Sequence, residues 1–301
     1  MKQKQVDPEE LVKQVLSNVP ESFEELKENL DWQLGIDEAG RGPVLGPMLY
    51  ASCYWPMKYH KLISQTCEFV DSKQINEAAR ERLFDVLCQL KGKVLTFETR
   101  ELSAEYLSKN QQAYLITNLN DISHNTAAEL IQSAIKKGFR IKEIYVDTVG
   151  PKQTYKAFLQ EKLQSLGKAA EIVVEEKADS KYANVSAASI CAKVTRDQRI
   201  IQISQELLPN DSIGSGYPGD PKTKKYLENT NIPFFVYPKY IRFSWQTIKT
   251  IITKRDLCIE FKDEQESAKQ VKNLDNYFKK NNTNNAFSYD YRTLTITNCI
   301  L

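Results

Sequence analysis

The sequence predicts an α/β fold, a mixed five-stranded sheet flanked by helices with a further helical part toward the C-terminus. Three observations predict it. Five short runs rich in β-branched and aromatic residues read as strands, three early in the chain and two later. Segments with apolar residues at helical spacing precede, separate and follow the last two runs. A single helix-length segment joins the fourth run to the fifth, the length a right-handed parallel crossover needs.

In order along the chain, residues 1–30 form a charged extension that opens on a helix, with Asp7 as N-cap and Pro8 in the first helical position. WQLGID (32–37) and PMLYASCYW (47–55) read as strands around the turn GRGPVLG, so a hairpin is expected. Leu83, Val86, Leu87 and Leu90 share a helical face over about 76–90, with Gly92 just beyond. KVLTFET (93–99) is the third strand. A helix follows over about 121–137, stopping before Gly138, and IKEIYVD (141–147) is the fourth strand. Thr154 begins a helix that ends at Gly167, AEIVVEE (170–176) is the fifth strand, and a long helix covers about 182–207.

The loop GSGYPGD (214–220) then leads into a helix capped by Asp220 with Pro221 at its start. PFFVYPKYIRFSW (233–245) is irregular and aromatic, and Ser244 begins a last helix. Residues 262–288 are polar and end in NNTNN, as a flexible tail does, while FSYDYRTLTITNCIL alternates enough for a strand. The expected organisation is an extension at 1–30, a catalytic core at 31–210, a helical part at 211–260, and a tail at 261–301 suited to docking partners.

Bulk properties set limits. Hydrophobic residues are 41% and charged residues 27% of 301, a globular composition, and the formal charge of +2 confines any nucleic-acid surface to a local patch. The six cysteines form no CxxC pair, and neither His60 nor His124 stands at zinc-ligand spacing from one, which suits reduced thiols inside a cell. The N-terminus lacks an apolar signal core, and no run approaches the ~18 apolar residues of a membrane span. A soluble protein of the nucleus or cytoplasm is expected, without membrane contact.

The chemistry rests on four acids. Asp37 and Glu38 end the first strand, Asp147 ends the fourth, and Asp179 opens the helix after the fifth. Ligands of open α/β sheets gather at the carboxyl ends of strands. If the first and fourth strands are parallel neighbours, Asp37 and Asp147 lie side by side. Crowded carboxylates need protons or cations to offset their repulsion, and hard oxygen donors without His or Cys point to Mg²⁺ or Mn²⁺. Two such ions ~3.5–4 Å apart clamp the attacking and leaving oxygens of a phosphodiester. Adjacent strand residues face opposite ways, so Asp37 and Glu38 share a metal only if the backbone turns, which Gly40 and Gly42 would permit. Each acid has a plainer reading. Asp179 could be a helix N-cap, Asp147 a turn residue, and the Asp-Glu pair a solvated loop.

The string GIDEAGRGPVLGPM (35–48) resembles the opening signature of type 2 ribonuclease H. DSK (71–73), ISHNTA (122–127), VDTVG (146–150), KADSKY (177–182), VSAASICAKVTRD (185–197) and GSGYPGDPKT (214–223) follow in that family's order. The likeness spans residues 32 to about 250, and VDTVG and SAASICAKV resemble the eukaryotic catalytic subunit most. It implies a ribonuclease H-like fold and a metal-dependent endoribonuclease. Such an enzyme hydrolyses the RNA strand of RNA–DNA hybrids and cuts 5′ to ribonucleotides embedded in duplex DNA, using two divalent ions.

By the same resemblance, Asp37, Glu38, Asp147 and Asp179 are the metal-binding carboxylates. Gly40, Arg41 and Gly42 form the element that contacts the ribonucleotide's 2′-hydroxyl and adjacent phosphate. Glycines allow that close backbone approach, and the 2′-hydroxyl is the local label separating RNA from DNA. Tyr217 matches the tyrosine that packs by the ribose, or else an aromatic packed on the core. Lys73 matches a lysine near substrate phosphate, or else a plain surface lysine. Asn120 corresponds to a phosphate-site asparagine, with Asn118 and Asn125 as competing placements.

Lys193, Arg196 and Arg199 recur every three residues on the long helix as a basic stripe for a duplex groove, or else as a solvated face. Lys222, Lys224 and Lys225 would extend it. In the tail, VKNLDNYF (271–278) has the leucine–aromatic spacing of sliding-clamp ligands but Val271 where they carry glutamine; an amphipathic docking turn is the plainer reading. The eukaryotic relatives are heterotrimers, so two non-catalytic subunits are expected, with the apolar 294–301 as one contact. The resemblance places the protein in the nucleus. A type 3 ribonuclease H shares the opening motif, but DSK and the KAD-helix arrangement favour type 2. A non-catalytic nucleic-acid-binding subunit would not need all four acids.

Overall fold

A computed structural model describes residues 7–69, 75–112, 117–167, 169–230, 239–254, 259–260 and 287–288. Two helices lead in, α1 (Pro8–Leu16) and α2 (Phe23–Asn29). The Asp7 side chain caps α1 by accepting from the Glu9 amide, with Pro8 at the first position. The hairpin β1 (Asp31–Ala39) and β2 (Met48–Pro56) follows, then α3 (His60–Cys67), α4 (Glu77–Leu90), β3 (Thr96–Leu102) and α5 (Ala104–Gln112). The second half runs α6 (Leu119–Lys136), β4 (Arg140–Asp147), α7 (Lys152–Gln164), β5 (Glu171–Glu175), α8 (Ala183–Leu207), α9 (Pro221–Asn229) and α10 (Gln246–Lys254).

The five strands form one mixed sheet in the order β3-β2-β1-β4-β5. The β1–β2 and β2–β3 pairs are antiparallel, and the β1–β4 and β4–β5 pairs are parallel. Helix α8 lies directly on the central strand. A methyl group added to Gly35 would stand 2.3 Å from the Asn184 backbone carbon, so the glycine is what lets helix and strand meet. The small side chains Ser186, Ala187, Ala188 and Ala192 are buried in the same contact. Helices α6 and α7 cover the opposite face, with Ile131, Ala134, Leu159 and Leu163 in the core. A second apolar cluster joins Val44 and Leu45 of the hairpin loop to Ile203, Ile213, Leu227, Ile241 and Ile248.

Three features differ from the sequence reading. The third strand starts at Thr96 rather than Lys93, because Lys91–Leu95 closes a turn around the left-handed Gly92. That strand runs on to Leu102 because β2 offers partners as far as Met48. Helices α2, α3 and α5 are additional to those expected, although Ser22 and Glu25 make a capping box at the start of α2. The first strand continues through Ala39, with the left-handed bend at Gly40, so the backbone does not turn at the acidic pair. In the tail, Ile259–Glu260 pairs in parallel with Phe287–Ser288. Lys73, the clamp-like 271–278 and the apolar 294–301 lie outside the described residues.

Candidate active site

The parallel register places Ile36 beside Val146, so Asp37 and Asp147 emerge together at the carboxyl ends of β1 and β4. Asp37 is 3% exposed. Its Oδ1 accepts from the Glu38 amide at 2.7 Å, and its Oδ2 is buried with no hydrogen-bond partner of ordinary geometry among the described residues. Burial first, and then the charges of Glu38 and Asp147, hold the Asp37 carboxyl well above the usual range. Hydrogen bonding from the Ser189 hydroxyl and the Glu38 amide offsets part of this. Asp37 therefore faces α8.

Glu38 pairs across the hairpin with Tyr50 and faces the other layer. Its charge adds to burial in pushing the phenols of Tyr50 and Tyr155 upward. Tyr155 also feels Asp147 and Asp37, which puts three carboxylates within electrostatic reach of one buried ring. His124 stacks on that ring at 3.9 Å.

Asp147 Oδ1 accepts from the Ala178 amide at 2.8 Å, drawing the short 3₁₀ turn Ala178–Ser180 to the end of β4. Asp179, 3% exposed, lies in that turn. It is not the N-cap of α8; Tyr182 occupies that place and caps through no side chain. The capping reading of Asp179 is thereby removed.

Among the described residues no three His, Cys, Asp or Glu side chains close into a ready-made metal cage. Asp37 and Asp147 stand together at the strand ends with Asp179 in the adjoining turn, while Glu38 leaves the opposite face of β1 within electrostatic reach of Asp37. Their hard oxygen donors, with the unsatisfied Asp37 Oδ2 among them, fit a divalent ion whose coordination water and phosphate oxygens complete.

The loop after β1 is held from both sides. The Arg41 guanidinium turns inward, donating to Ser123 Oγ at 2.8 Å and Asn120 Oδ1 at 2.6 Å. Of the three candidate asparagines, Asn120 is the one that reaches this loop; Asn118 caps α6 and Asn125 donates to the Asp121 carbonyl. Fully buried Arg242 donates to the carbonyls of Gly40 (2.7 Å), Arg41 (3.0 Å) and Gly46 (2.9 Å). Trp245 Nε1 donates to the Gly42 carbonyl at 3.1 Å, and the Arg242 guanidinium lies 4.8 Å from the Trp245 ring centroid. Tyr217, 41% exposed, sets its ring against Gly42, where a methyl group would meet it at 3.5 Å.

The expected basic stripe does not form. Arg196 is 1% exposed. It lies beneath Gly40, donates to the Ser215 carbonyl at 3.0 Å, and carries its guanidinium 5.4 Å from the Tyr217 ring centroid. Lys193 pairs with Asp197 at 2.7 Å and Arg199 with Glu101 at 3.3 Å. Residues three apart stand only ~60° from each other around a helix, so the three share one side of α8, but the middle of that side lies against the core, which buries Arg196 between the ion-paired Lys193 and Arg199. Arg196 supports the loops that carry Gly40 and Ser215 from below. Tyr50, Ser123, Tyr155, Ser189, Arg242 and Trp245 carry no signal in the sequence that singles them out. The first four sit in ordinary core patterns, and the last two in an irregular aromatic stretch with no periodicity to read.

Residues 34–248 match the model of the family described as Ribonuclease HII. Among curated relatives, a ribonuclease H2 subunit of Dictyostelium discoideum is 40% identical over 276 residues, 89% of this chain and 91% of that protein. Its counterpart in Homo sapiens is 41% identical over 251 residues, 81% of each. Of solved structures, ribonuclease H2 from Pyrococcus horikoshii OT3 is similar with a TM-score of 0.62 at 30% identity, over 74% of this chain and 98% of that one. The RNase HII of the PCNA complex from Archaeoglobus fulgidus is similar at 0.57 and 29%, over 71% and 95%. Bst-RNase HIII in complex with Mn²⁺, at 0.59 and 16% over 77% and 72%, shares the fold.

Proposed function

The chain belongs to the ribonuclease HII family of metal-dependent ribonucleases, as a type 2 catalytic subunit, and from that premise we propose that it hydrolyses the RNA strand of RNA–DNA hybrids and cuts 5′ to single ribonucleotides in duplex DNA. The observation that carries this reading is the meeting of Asp37, Asp147 and the Asp179 turn at the carboxyl ends of β1 and β4, with Glu38 next to Asp37 in the chain, beside a loop whose Gly40, Arg41 and Gly42 carbonyls are held by Arg242 and Trp245. Two Mg²⁺ or Mn²⁺ ions held by these acids would supply hydroxide at neutral pH and offset charge on the departing 3′-oxygen.

The chain's own residues do the rest. Peptide groups are planar, so fixing the carbonyls of Gly40 and Arg41 aims the amides of Arg41 and Gly42 the opposite way. Among the described residues no acceptor meets those two amides, which leaves them to read a 2′-hydroxyl or its neighbouring phosphate. The Tyr217 ring beside Gly42 offers the ribose a flat apolar wall. Asn120 holds the Arg41 guanidinium near where that phosphate would lie. Lys73 and Lys193 would add contacts to phosphates further along the duplex.

The test is a DNA duplex carrying one ribonucleotide, incubated with Mg²⁺ and then with EDTA. A nick 5′ to the ribonucleotide that EDTA abolishes is expected, and Asp147→Asn should lose turnover while keeping its fold. Cleavage confined to longer RNA stretches would instead favour the type 3 reading, and metal-independent binding without cleavage a non-catalytic subunit. Relatives named as one subunit of ribonuclease H2 support assembly with further subunits, which in this reading are two and non-catalytic, and action on nuclear DNA is part of the same proposal. The structural relative solved in complex with PCNA supports a sliding clamp as a further partner. A peptide of residues 265–285 that fails to bind the clamp at high micromolar concentration would remove that partner.

A further inference from the structure

Among the described residues, two other than glycine adopt a left-handed backbone, Glu68 (φ 46°) and Lys177 (φ 53°). Glu68 ends α3, where such a conformation is ordinary. Lys177 ends no helix. It stands between β5 and the turn that carries Asp179, at the lip of the acidic site. Its conformation swings the chain so that the Ala178 amide reaches Asp147, and its carbonyl accepts from the Ser180 amide (3.0 Å) and hydroxyl (2.8 Å). Glycine or asparagine would serve that turn with less strain.

The side chain is exposed. The neighbouring lysines are neutralised, Lys152 by Glu176 at 3.7 Å and Lys181 by Glu175. Lys177 has no carboxylate within ion-pair distance among the described residues, although Glu175, Glu176 and Asp179 lie within two residues of it in the chain. A lysine serving as their counter-charge would turn onto them. This one stands out into solvent, where an anionic substrate must approach an anionic site.

We propose that Lys177 contacts a backbone phosphate of the nucleic-acid substrate beside the scissile link, a role that rests on the nuclease reading above. The test is fluorescence anisotropy of a ribonucleotide-containing duplex with the full chain in EDTA, across a salt series. Lys177→Asn and Lys177→Gly, which suit the left-handed turn, should bind about eightfold more weakly at ~0.1 M salt, with a log–log salt slope shallower by about 0.9. Lys177→Arg should restore both. Thermal unfolding should show the Asn and Gly variants at least as stable as wild type, which separates a lost phosphate contact from a damaged turn. Wild-type affinity and slope in the Asn and Gly variants would overturn the inference alone. A wild-type chain that binds no such duplex would overturn the nuclease reading beneath it.

Discussion

Replacing Arg242 with methionine removes the donor that orients the 40–42 loop. The guanidinium is fully buried, and burial with the nearby Arg196 charge pushes its pKa down to about 9, so it remains charged at neutral pH. Three charge-assisted bonds to carbonyls, at about 1.5–3 kcal/mol each, are lost together. Against that stands the desolvation of a buried cation, which costs several kcal/mol and is relieved by the same change. The net destabilisation expected is about 2–4 kcal/mol, with methionine filling much of the space. For a chain of this size that corresponds to a fall in melting temperature of roughly 4–16 °C by scanning calorimetry. Activity should fall further than folding alone requires, because the Arg41 and Gly42 amides lose their aim. The preference for a ribonucleotide over a deoxynucleotide at the cut site should narrow even at temperatures where the variant is folded. Arg242→Lys, which keeps the charge but not the fork, should lie between. A methionine variant that melts with the wild type and discriminates equally well would refute the clamp.

Three further outcomes are expected. The Asp37 carboxyl is raised by burial, Glu38 and Asp147, so its folded pKa exceeds the unfolded one; the stability it contributes is complete below the unfolded value and lost as pH rises through the folded value. In EDTA, Asp37→Asn should therefore melt above wild type at pH 8 and converge with it in acid, while showing no turnover; parallel melting profiles would contradict the assigned cause. Gly35→Ala drives a methyl into the Asn184 and Val185 backbone, which cannot rotate away, and should cost about 3 kcal/mol or more in urea unfolding. A near-neutral result would mean that α8 can lift from β1. Tyr217→Ala should leave the melting temperature nearly unchanged, since the ring is half exposed, yet lower kcat/KM on a single-ribonucleotide duplex roughly 10- to 100-fold. Unchanged kinetics would take the ring out of substrate recognition.

Much of the frame is legible from short-range patterns. The caps at Asp7, Asn76 and Asp220 are readable because a side chain two or three residues from its target needs no tertiary contact. The five strands are readable because apolar β-branched runs suit a buried sheet. The acids can be assigned to strand ends from their place in those runs. The capping box at Ser22 and Glu25 is equally local, but the helix behind it is only 7 residues long and highly charged, so no apolar periodicity marks it.

What the sequence alone determined was the five strands, most of the helices and the order in which acids leave them, since these follow from residue periodicity and neighbouring side chains; the helices α2, α3 and α5 it did not mark. Tertiary structure decided which face each charge takes. Arg196 and Arg242 look like surface cations in the chain, yet each is buried because loop carbonyls come to meet it, Ser215 for the first and Gly40, Arg41 and Gly46 for the second. Arg242 and its partners lie about 200 residues apart in sequence. A guanidinium is stable inside a protein only where acceptors surround it, and no local pattern records acceptors that arrive from the other end of the chain.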